Sequence, residues 1–356
     1  MPTTSLPAAA TSPPSPSSAG DEAEADDVSH IRSIFDPSTL VQRGFCAVAR
    51  GEGRKAEEHK VYYEWHGSKD SAAKKLVFIM GLSNSSAAWH AQVPFFANLG
   101  YFVLVFDNLG VGHSTSPSHG PGWKAALTRY KTSEMARDVR ELLDFLGGGW
   151  EKEVHVVGVS MGGMIAQELA LLIPDRVSTL LLTSTTAGSR FVPALPSRKA
   201  TSLIVQQSLG LQKTPEAQIA GIVDTLFPRA YLDELDGDGE GEGEGKTRRE
   251  VLEAEFLHRY HLGRRQPLAG RMGQTAAVLN HYLSPARLHE LGTKISRVAV
   301  IHGEEDELIS VVRGKELARG IPNASLTLVP SAGHALPRQI TAQYNEWIRA
   351  NVEREG

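Results

Sequence analysis

The chain has little of several features that mark specialised classes of protein. Among its 356 residues there is one cysteine, Cys46, so a disulfide within the chain and a cysteine-based metal site are excluded. We expect Cys46 to be a small strand residue that faces the core. The formal net charge is −4, and no basic excess indicates nucleic acid or an anionic membrane as a partner. No apolar run approaches the ~18 residues that cross a bilayer, so we expect no transmembrane segment.

Targeting signals are also missing from both ends of the sequence. The first basic residue is Arg32, so the N-terminus lacks the basic-then-apolar order of a signal peptide and the arginines of a mitochondrial presequence. The last four residues, E-R-E-G, are no peroxisomal address. These absences predict a cytoplasmic protein.

Two segments have too few large apolar groups to fold. Residues 1–28 are mostly Ala, Pro, Ser and Thr followed by Asp and Glu, which predicts a disordered tail. Residues 236–245 read D-G-D-G-E-G-E-G-E-G. The flexible glycines and the repulsion between the negatively charged carboxylates predict a disordered, solvated loop. A calcium site is the weaker alternative, because plain alternation gives neither the ligand register nor the closing Glu of an EF-hand loop.

Strand and helix patterns alternate through most of the remaining chain. Continuous apolar runs such as F-V-L-V-F and V-A-V-I are typical of strands covered on both faces. An amphipathic stripe that includes Met135, Val139 and Leu142 predicts one of the helices between them. The alternation predicts an α/β fold with a mostly parallel, eight-stranded sheet and helices on both faces. The predicted strands are Gly44–Arg50, Val61–Gly67, Lys75–Met80, Tyr101–Asn108, Glu153–Val159, Val177–Leu182, Arg297–Ile301 and Ser325–Val329.

Strand patterns disappear between residues 187 and 285. Only helical and loop patterns occur there, and the predicted helices are Thr201–Leu209, Ile219–Leu226 and Gly273–Leu283. About a hundred strandless residues inside an α/β alternation predict an inserted helical cap. The expected organisation is therefore a core of residues 29–186 and 286–356 with a cap of residues 187–285.

A serine lies at the corner between a predicted strand and a predicted helix. Gly158-Val159-Ser160-Met161-Gly162 fits the G-x-S-x-G pattern, in which a nucleophilic serine occupies a strained turn after a strand. Glycines at both flanking positions allow strand and helix to approach closely. The alternative is a serine that only caps the helix, but the strong strand and helix patterns on either side favour the nucleophile.

A serine nucleophile needs a base, and the base needs an acid that orients it. The last two predicted strands run into H-G-E-E-D and S-A-G-H, which place Asp306 and His334 just beyond strand ends. Ser160, Asp306 and His334 thus form the candidate triad. Glu304 and Glu305 compete for the acid, but the G-x-x-D pattern points to Asp306. His113, His155, His281 and His302 compete with His334 for the base. A structural role is expected for His155 and His302, and His113 is a candidate for lining the pocket.

Acyl transfer also needs donors for the oxyanion. The backbone N–H of Met161, directly after the nucleophile, is one candidate. The loop Met80-Gly81-Leu82-Ser83-Asn84 follows a strand, and the N–H of Leu82 is the second candidate. Ser83 is a candidate substrate-binding residue, although we expect it to cap the next helix. The chemistry calls for no metal or organic cofactor.

These motifs together resemble the α/β-hydrolase superfamily, in particular its lid-bearing esterases, enol-lactonases and C–C-bond hydrolases. The resemblance covers roughly residues 61–352, and the cap contributes nothing specific to it. The loop F-D-N-L-G-V-G-H-S-T-S is similar to the D-x-R-G-x-G-x-S loop of that family. Two positions depart from it, because Met80 replaces the family's histidine before the oxyanion loop and Leu109 replaces the arginine of the second loop.

The resemblance implies a serine hydrolase that acts on a carboxylic ester or lactone of small-to-medium, largely apolar structure. C–C bond hydrolysis, thioester hydrolysis and acyl transfer on the same triad remain open, because the cap has no readable motif. A third hypothesis is a ligand receptor without catalysis. The expected partner is a small-molecule substrate, and the sequence does not indicate an oligomeric state.

Overall fold

The computed structural model describes residues 28–49, 58–114, 130–147, 153–190, 197, 200–202, 205–206, 214–237 and 245–353. The predicted tail lies outside the described residues apart from Val28, and so does most of the glycine-rich loop. Eight strands form one sheet. The strands are β1 (Leu40–Val48), β2 (His59–Gly67), β3 (Lys75–Ile79), β4 (Phe102–Phe106), β5 (Val154–Val159), β6 (Val177–Thr183), β7 (Arg297–Gly303) and β8 (Ser325–Val329).

The helices lie between the strands and after them. We number them α1 (Gln92–Asn98), α2 (Thr132–Phe145), α3 (Met161–Leu172), α4 (Pro215–Leu226), α5 (Arg229–Asp233), α6 (Arg248–Leu262), α7 (Leu268–Leu279), α8 (Pro285–Lys294), α9 (Val311–Gly320), α10 (Leu336–Gln339) and α11 (Thr341–Glu353). No helix of the described residues has both the length and the apolarity to cross a membrane.

The sheet order is β1-β2-β4-β3-β5-β6-β7-β8. Strand β2 pairs antiparallel with both β1 and β4, and all other neighbours are parallel. The central strands are buried along their whole length, which explains their continuous apolar runs. The predicted mostly parallel, eight-stranded sheet is therefore confirmed.

Alternate residues of the central strands face two separate cores. Val77 and Ile79 pack in one core with α2, α3, α8 and α9, whereas Leu76 and Phe78 pack in the other with α1 and α11. Helices thus cover both faces of the sheet, as the pattern predicts. The predicted stripe of α2 is buried. Asp138 of the same helix is buried as well, and its Oδ2 lies 3.1 Å from His59 Nε2.

Helices α4 to α7 are inserted between β6 and β7. In the described part of this insertion the β-type pairings are two isolated bridges, Gly188 with Tyr282 and Leu235 with Thr247. Five buried apolar side chains form its own small core: Ile219, Val223, Phe227, Leu232 and Leu252. The described part of the insertion is therefore largely helical.

Several predicted boundaries were wrong. Strand β1 begins at Leu40 and not at Gly44, because a 3₁₀ turn capped by Asp36 delivers the chain directly into it. Helix α7 spans Leu268–Leu279 where Gly273–Leu283 was expected, since Pro267 starts it early and Asn280 ends it. The predicted helix Thr201–Leu209 is helical at its described residues, 201–202 and 205–206, and the rest lies outside them.

Candidate active site

The loops that carry the candidate residues leave the sheet at one edge. Parallel strands β3, β5, β6, β7 and β8 are consecutive neighbours, so their carboxyl ends lie side by side. Near these ends Ile79 is opposite Gly158, and Val159 is opposite Thr183. Chain segments more than 200 residues apart are thereby brought to one place, which is where parallel sheets bind ligands.

Ser160 occupies a strained turn between β5 and α3. Its φ of 57° and ψ of −122° lie where side-chain-bearing residues rarely occur. The flanking glycines make this turn possible, because a Cβ at Gly158 would lie 2.5 Å from the Gly162 carbonyl oxygen. A Cβ at Gly162 would lie 2.0 Å from the Ile79 carbonyl oxygen. The predicted elbow geometry is therefore present.

Asp306 and His334 form a buried pair. Nδ1 of His334 lies 2.8 Å from Oδ2 and 3.0 Å from Oδ1 of Asp306. The backbone N–H of His334 donates to the carbonyl oxygen of Leu226, at the end of inserted helix α4. His334 lines the same cavity as Ser160, without a hydrogen bond between the two side chains in this structure. Catalytic hydrogen bonds are often long where no substrate is bound.

Several donors hold Asp306 in the ionised form. Burial alone would raise the pKa of its carboxyl group, but His334 and His302 together hold this pKa well below its usual value. The backbone N–H groups of Leu308 and Ile309 each donate to Oδ1 at 2.9 Å. An ionised, fixed carboxylate can orient an imidazole and stabilise its protonated form.

The competing acids and the neighbouring histidine have distinct positions. Glu304 and Glu305 are exposed, whereas Asp306 is buried beside His334. His302, expected to be purely structural, has Nε2 3.2 Å from Oδ2 of Asp306 and 2.7 Å from the Ile309 carbonyl oxygen. Since this contact reaches the candidate acid, the expectation for His302 was incomplete.

The remaining histidines differ in their distance from the cavity. His113 lines it and contacts the Tyr62 ring at 5.1 Å between centroids. His155 bonds Thr179 inside the sheet, and burial lowers its pKa to about 4. His281 bonds Thr132, and burial lowers its pKa to about 3. Neither of these last two lines the cavity.

Two backbone N–H groups beside Ser160 have no acceptor among the described residues. Met161 is the first residue of α3, and its N–H belongs to the unpaired first turn. Leu82 lies in the loop after β3, and its N–H donates to no protein atom. The preceding Gly81 touches the serine, because a Cβ built on it would lie 3.0 Å from the Ser160 Cβ.

Ser83 does not cap the next helix, contrary to expectation. It lines the cavity in a left-handed conformation with φ of 59°, and the helix that follows is preceded by Ser85. The backbone N–H of Ser83 donates to Oε1 of Gln274 at 2.9 Å. Nε2 of the same Gln274 donates to the Leu109 carbonyl oxygen at 2.9 Å. One buried side chain of α7 thus links the loop of Leu82 to the loop after β4.

The two departures from the hydrolase pattern have local compensations. The carbonyl oxygen of Met80 accepts a hydrogen bond from Asn108 Nδ2 at 2.8 Å, which ties the two loops together. Leu109 is buried and contributes its carbonyl oxygen to Gln274. Asp107 at the start of this loop accepts from the backbone and hydroxyl of Ser86 at 2.8 Å.

A cavity of about 720 Å³ contains the candidate site. Its wall combines Ser160, His334 and the loop of Leu82 with side chains from inserted helices α4, α6 and α7. The volume suits a small or medium molecule. No cluster of three or more His, Cys, Asp or Glu side chains suited to a metal occurs in the described ranges.

Sequence reasoning missed two residues that hold the site in place. Gln274 lies 191 residues after Ser83, in a region without a motif. The Leu226 carbonyl oxygen bonds the backbone of His334 from inside a helix that the pattern assigned only to the cap. No periodic signal distinguishes such residues, because each reaches the site across space.

A mostly parallel sheet with a strained serine after β5 and an Asp–His pair beyond the ends of β7 and β8 defines the class of enzymes with the α/β-hydrolase fold. The comparisons agree. A family model described as alpha/beta hydrolase fold matches residues 74–220. The chain therefore has the α/β-hydrolase fold.

The relatives catalyse different reactions. The chain is 28% identical over 300 residues to a 2-hydroxy-6-oxononadienedioate/2-hydroxy-6-oxononatrienedioate hydrolase of Burkholderia vietnamiensis, covering 82% of this chain and 90% of that protein. It is 26% identical to the rhodomycin D methylesterase DnrP of Streptomyces peucetius, covering 76% and 88%. A solved hydrolase of Pseudomonas aeruginosa PA01 superposes with a TM-score of 0.63 at 23% identity, covering 88% and 99%. The two relatives are thus named as hydrolases of different substrates, and the solved structure shares the fold.

Proposed function

We propose that this protein is a serine hydrolase of carboxylic esters or lactones. Ser160 Oγ attacks the acyl carbonyl carbon while His334 takes its proton, and Asp306 orients the imidazole. The backbone N–H groups of Leu82 and Met161 donate to the oxyanion. His334 then protonates the leaving alkoxide, which leaves an acyl-enzyme.

Water completes the cycle in the same geometry. His334 takes a proton from water, the hydroxide attacks the acyl carbonyl carbon, and the bond to Ser160 Oγ breaks. The proton returns from His334 to the serine oxygen, and a carboxylic acid leaves. Residues 187–285 act in this proposal as a cap that closes the cavity over the substrate.

The observation that carries the proposal is the buried pair of Asp306 and His334, 2.8 Å apart, at the cavity that Ser160 lines. An ionised carboxylate on Nδ1 leaves Nε2 of the imidazole to act as the base. A relative named as a methylesterase supports the ester substrate.

The experiment is release of p-nitrophenol from esters of graded acyl length by the native protein and by Ser160→Ala. We expect the variant to lose activity by roughly 10⁴-fold or more with its circular dichroism spectrum retained. Ser184→Ala is the matched control, because Ser184 directly follows the neighbouring strand β6 with a left-handed φ of 47° but does not line the cavity. Equal activity of native protein and Ser160→Ala would contradict the proposal.

C–C bond hydrolysis on the same residues is the second candidate function. It is favoured by the relative of 28% identity whose name describes hydrolysis of an oxo-dienedioate. An assay with a vinylogous 1,5-diketone tests this second function, and the loss of the diketone's absorbance measures its cleavage. Turnover of the diketone without turnover of any ester would replace the first proposal by the second.

A further inference from the structure

The cavity wall carries more cations than the expected apolar pocket would. Six arginine side chains line it: Arg32, Arg259, Arg264, Arg265, Arg271 and Arg338. Two carboxylates, Glu64 and Asp107, line it as well. Such an excess of guanidinium groups around a catalytic serine bears on which substrates can enter.

Both of those carboxylates already accept hydrogen bonds from donors of the protein. The Glu64 oxygens accept from Ser33 Oγ at 2.6 Å and from the Tyr62 hydroxyl at 2.8 Å. Asp107 accepts from Ser86 and from the backbone N–H of His113. Their hydrogen bonds hold the core together, and none of those described goes to an arginine of the cavity.

Arg259 and Arg338 share one carboxylate. Oε2 of Glu255 accepts from Arg338 Nε at 2.7 Å. Oε1 of Glu255 is 3.5 Å from Arg259 Nη2, is buried, and has no hydrogen-bond partner. His90 lies 3.5 Å from the same oxygen, but burial and the two arginines lower its pKa, so it is neutral at pH 7. Two guanidinium groups therefore face a single negative charge.

The guanidinium of Arg259 is largely buried without hydrogen-bond acceptors. Its side chain is 17% exposed, it lies 4.4 Å over the Phe256 ring, and none of its donors is hydrogen-bonded to a described residue. Burial lowers its pKa, yet a guanidinium stays protonated at any physiological pH. Because Arg259 lines the cavity and its donors make no hydrogen bond to a described residue, an anion in the cavity can accept hydrogen bonds from it.

We propose that Arg259, assisted by Arg338, binds a carboxylate of the substrate. This inference rests on the proposed function and specifies its substrate class as esters or lactones that carry a second, ionised carboxyl group. Arg338 lies four residues after His334, and both line the cavity, so this subsite adjoins the candidate base. One surplus positive charge matches the single charge of a carboxylate, and the planar guanidinium matches its two oxygens.

The first test compares two esters of equal length, the p-nitrophenyl monoester of glutaric acid and its methyl ester at the far carboxyl group. We expect the native protein to favour the ionised ester. In Arg259→Met the ratio of the two kcat/KM values should fall by about 10- to 100-fold, the worth of a charged hydrogen-bonded contact. Arg259→Lys, which keeps the charge but loses the planar fork, should give an intermediate ratio.

Arg229→Met is the matched control, because its side chain is 89% exposed in the same insertion and does not line the cavity. It should keep the native ratio. An Arg259→Met variant that keeps the native ratio would overturn the inference, even where Ser160-dependent hydrolysis supports the proposed function.

A binding measurement distinguishes failure of the carboxylate subsite from failure of the proposed hydrolase function. Calorimetry with free glutarate on Ser160→Ala needs no turnover, and we expect binding that Arg259→Met weakens by a similar factor. Absence of glutarate binding overturns the inference. Inorganic phosphate is titrated in parallel, and tighter binding of phosphate than of glutarate would overturn the assignment to a carboxylate. If glutarate binds through Arg259 but no ester is cleaved in a Ser160-dependent way, the proposed function fails alone.

Discussion

The sheet and the inserted helices contribute to the cavity in different ways. The sheet is packed between two extensive apolar cores, and its strand ends carry Ser160, Asp306 and His334. The insertion has a small core of its own and carries Gln274 and Arg259. The difference indicates that groups proposed for bond breaking rest on the most rigid part of the molecule. Groups that contact the rest of the substrate rest on a part with less buried apolar surface.

The largest expected effect concerns the sheet side of this comparison. Asp306→Asn keeps the shape of the side chain but presents the wrong hydrogen-bonding partner to His334, so we expect kcat to fall by about 10⁴-fold. Steady-state kinetics on a p-nitrophenyl ester measures it. Glu304→Gln and Glu305→Gln are matched controls, because both side chains are exposed next to Asp306, and both should retain native rates. A larger loss in either control would reassign the acid.

The two cores are compared directly by one substitution in each. Leu142→Ala removes a fully buried side chain beside the sheet, and we expect a loss of about 2–5 kcal/mol in the free energy of unfolding. Leu252→Ala removes an equally buried side chain of the insertion. It should destabilise the whole chain less and speed amide exchange in α4 and α6. Urea denaturation with hydrogen exchange measures both, and equal losses in a single transition would mean that the two regions unfold as one unit.

The junction between the regions should be sensitive to acid. Burial lowers the pKa of His281 to about 3, so below pH 6.5 the unfolded chain binds a proton that the folded chain excludes. The contribution of His281 to the free energy of unfolding is therefore fully present above pH 6.5, and it is lost as the pH falls below that value. At pH 5, which is 1.5 units below 6.5, the loss is about 2 kcal/mol.

Urea midpoints at pH 7 and pH 5 test this prediction. His281→Asn should show a smaller decrease between the two pH values than the native protein. His289→Asn, at an exposed position within α8, is the control and should behave like the native protein. Identical pH dependence in all three proteins would contradict the assignment to His281.

The smallest expected effect concerns a contact between the two regions. Gln274→Met removes the acceptor for the Ser83 N–H and the donor to Leu109, which should loosen the loop of Leu82. We expect kcat to fall by about fivefold, the worth of one hydrogen bond of ~1 kcal/mol, with a smaller change in KM. Thr275→Val is the control on the same helix, because its hydroxyl bonds only Arg271 of α7. An unchanged kcat in Gln274→Met would show that the sheet positions this loop alone.

The parts predicted from the sequence are those with a periodic or local signal. All eight strands were expected, the central ones because buried parallel strands give continuous apolar runs, and Ser160, Asp306 and His334 followed from strand ends. Helix α7 was misplaced, since its glycines and small residues give a weak amphipathic pattern. Gln274 and Arg259 could not be singled out, because a residue that acts across space leaves no mark in the sequence around it.

One feature of the insertion has a consequence for engineering. Residues near its two ends meet, because the Leu283 N–H donates to the Ala187 carbonyl oxygen at 2.8 Å. The insertion therefore leaves the core and returns to it at neighbouring positions, and it also contacts the core through Leu226 and Gln274. Helical segments of other lengths can be joined to the core at these two neighbouring positions, as domain insertions are at closely spaced surface sites. Such chimeras would keep the proposed catalytic residues of the core and would accept different substrates.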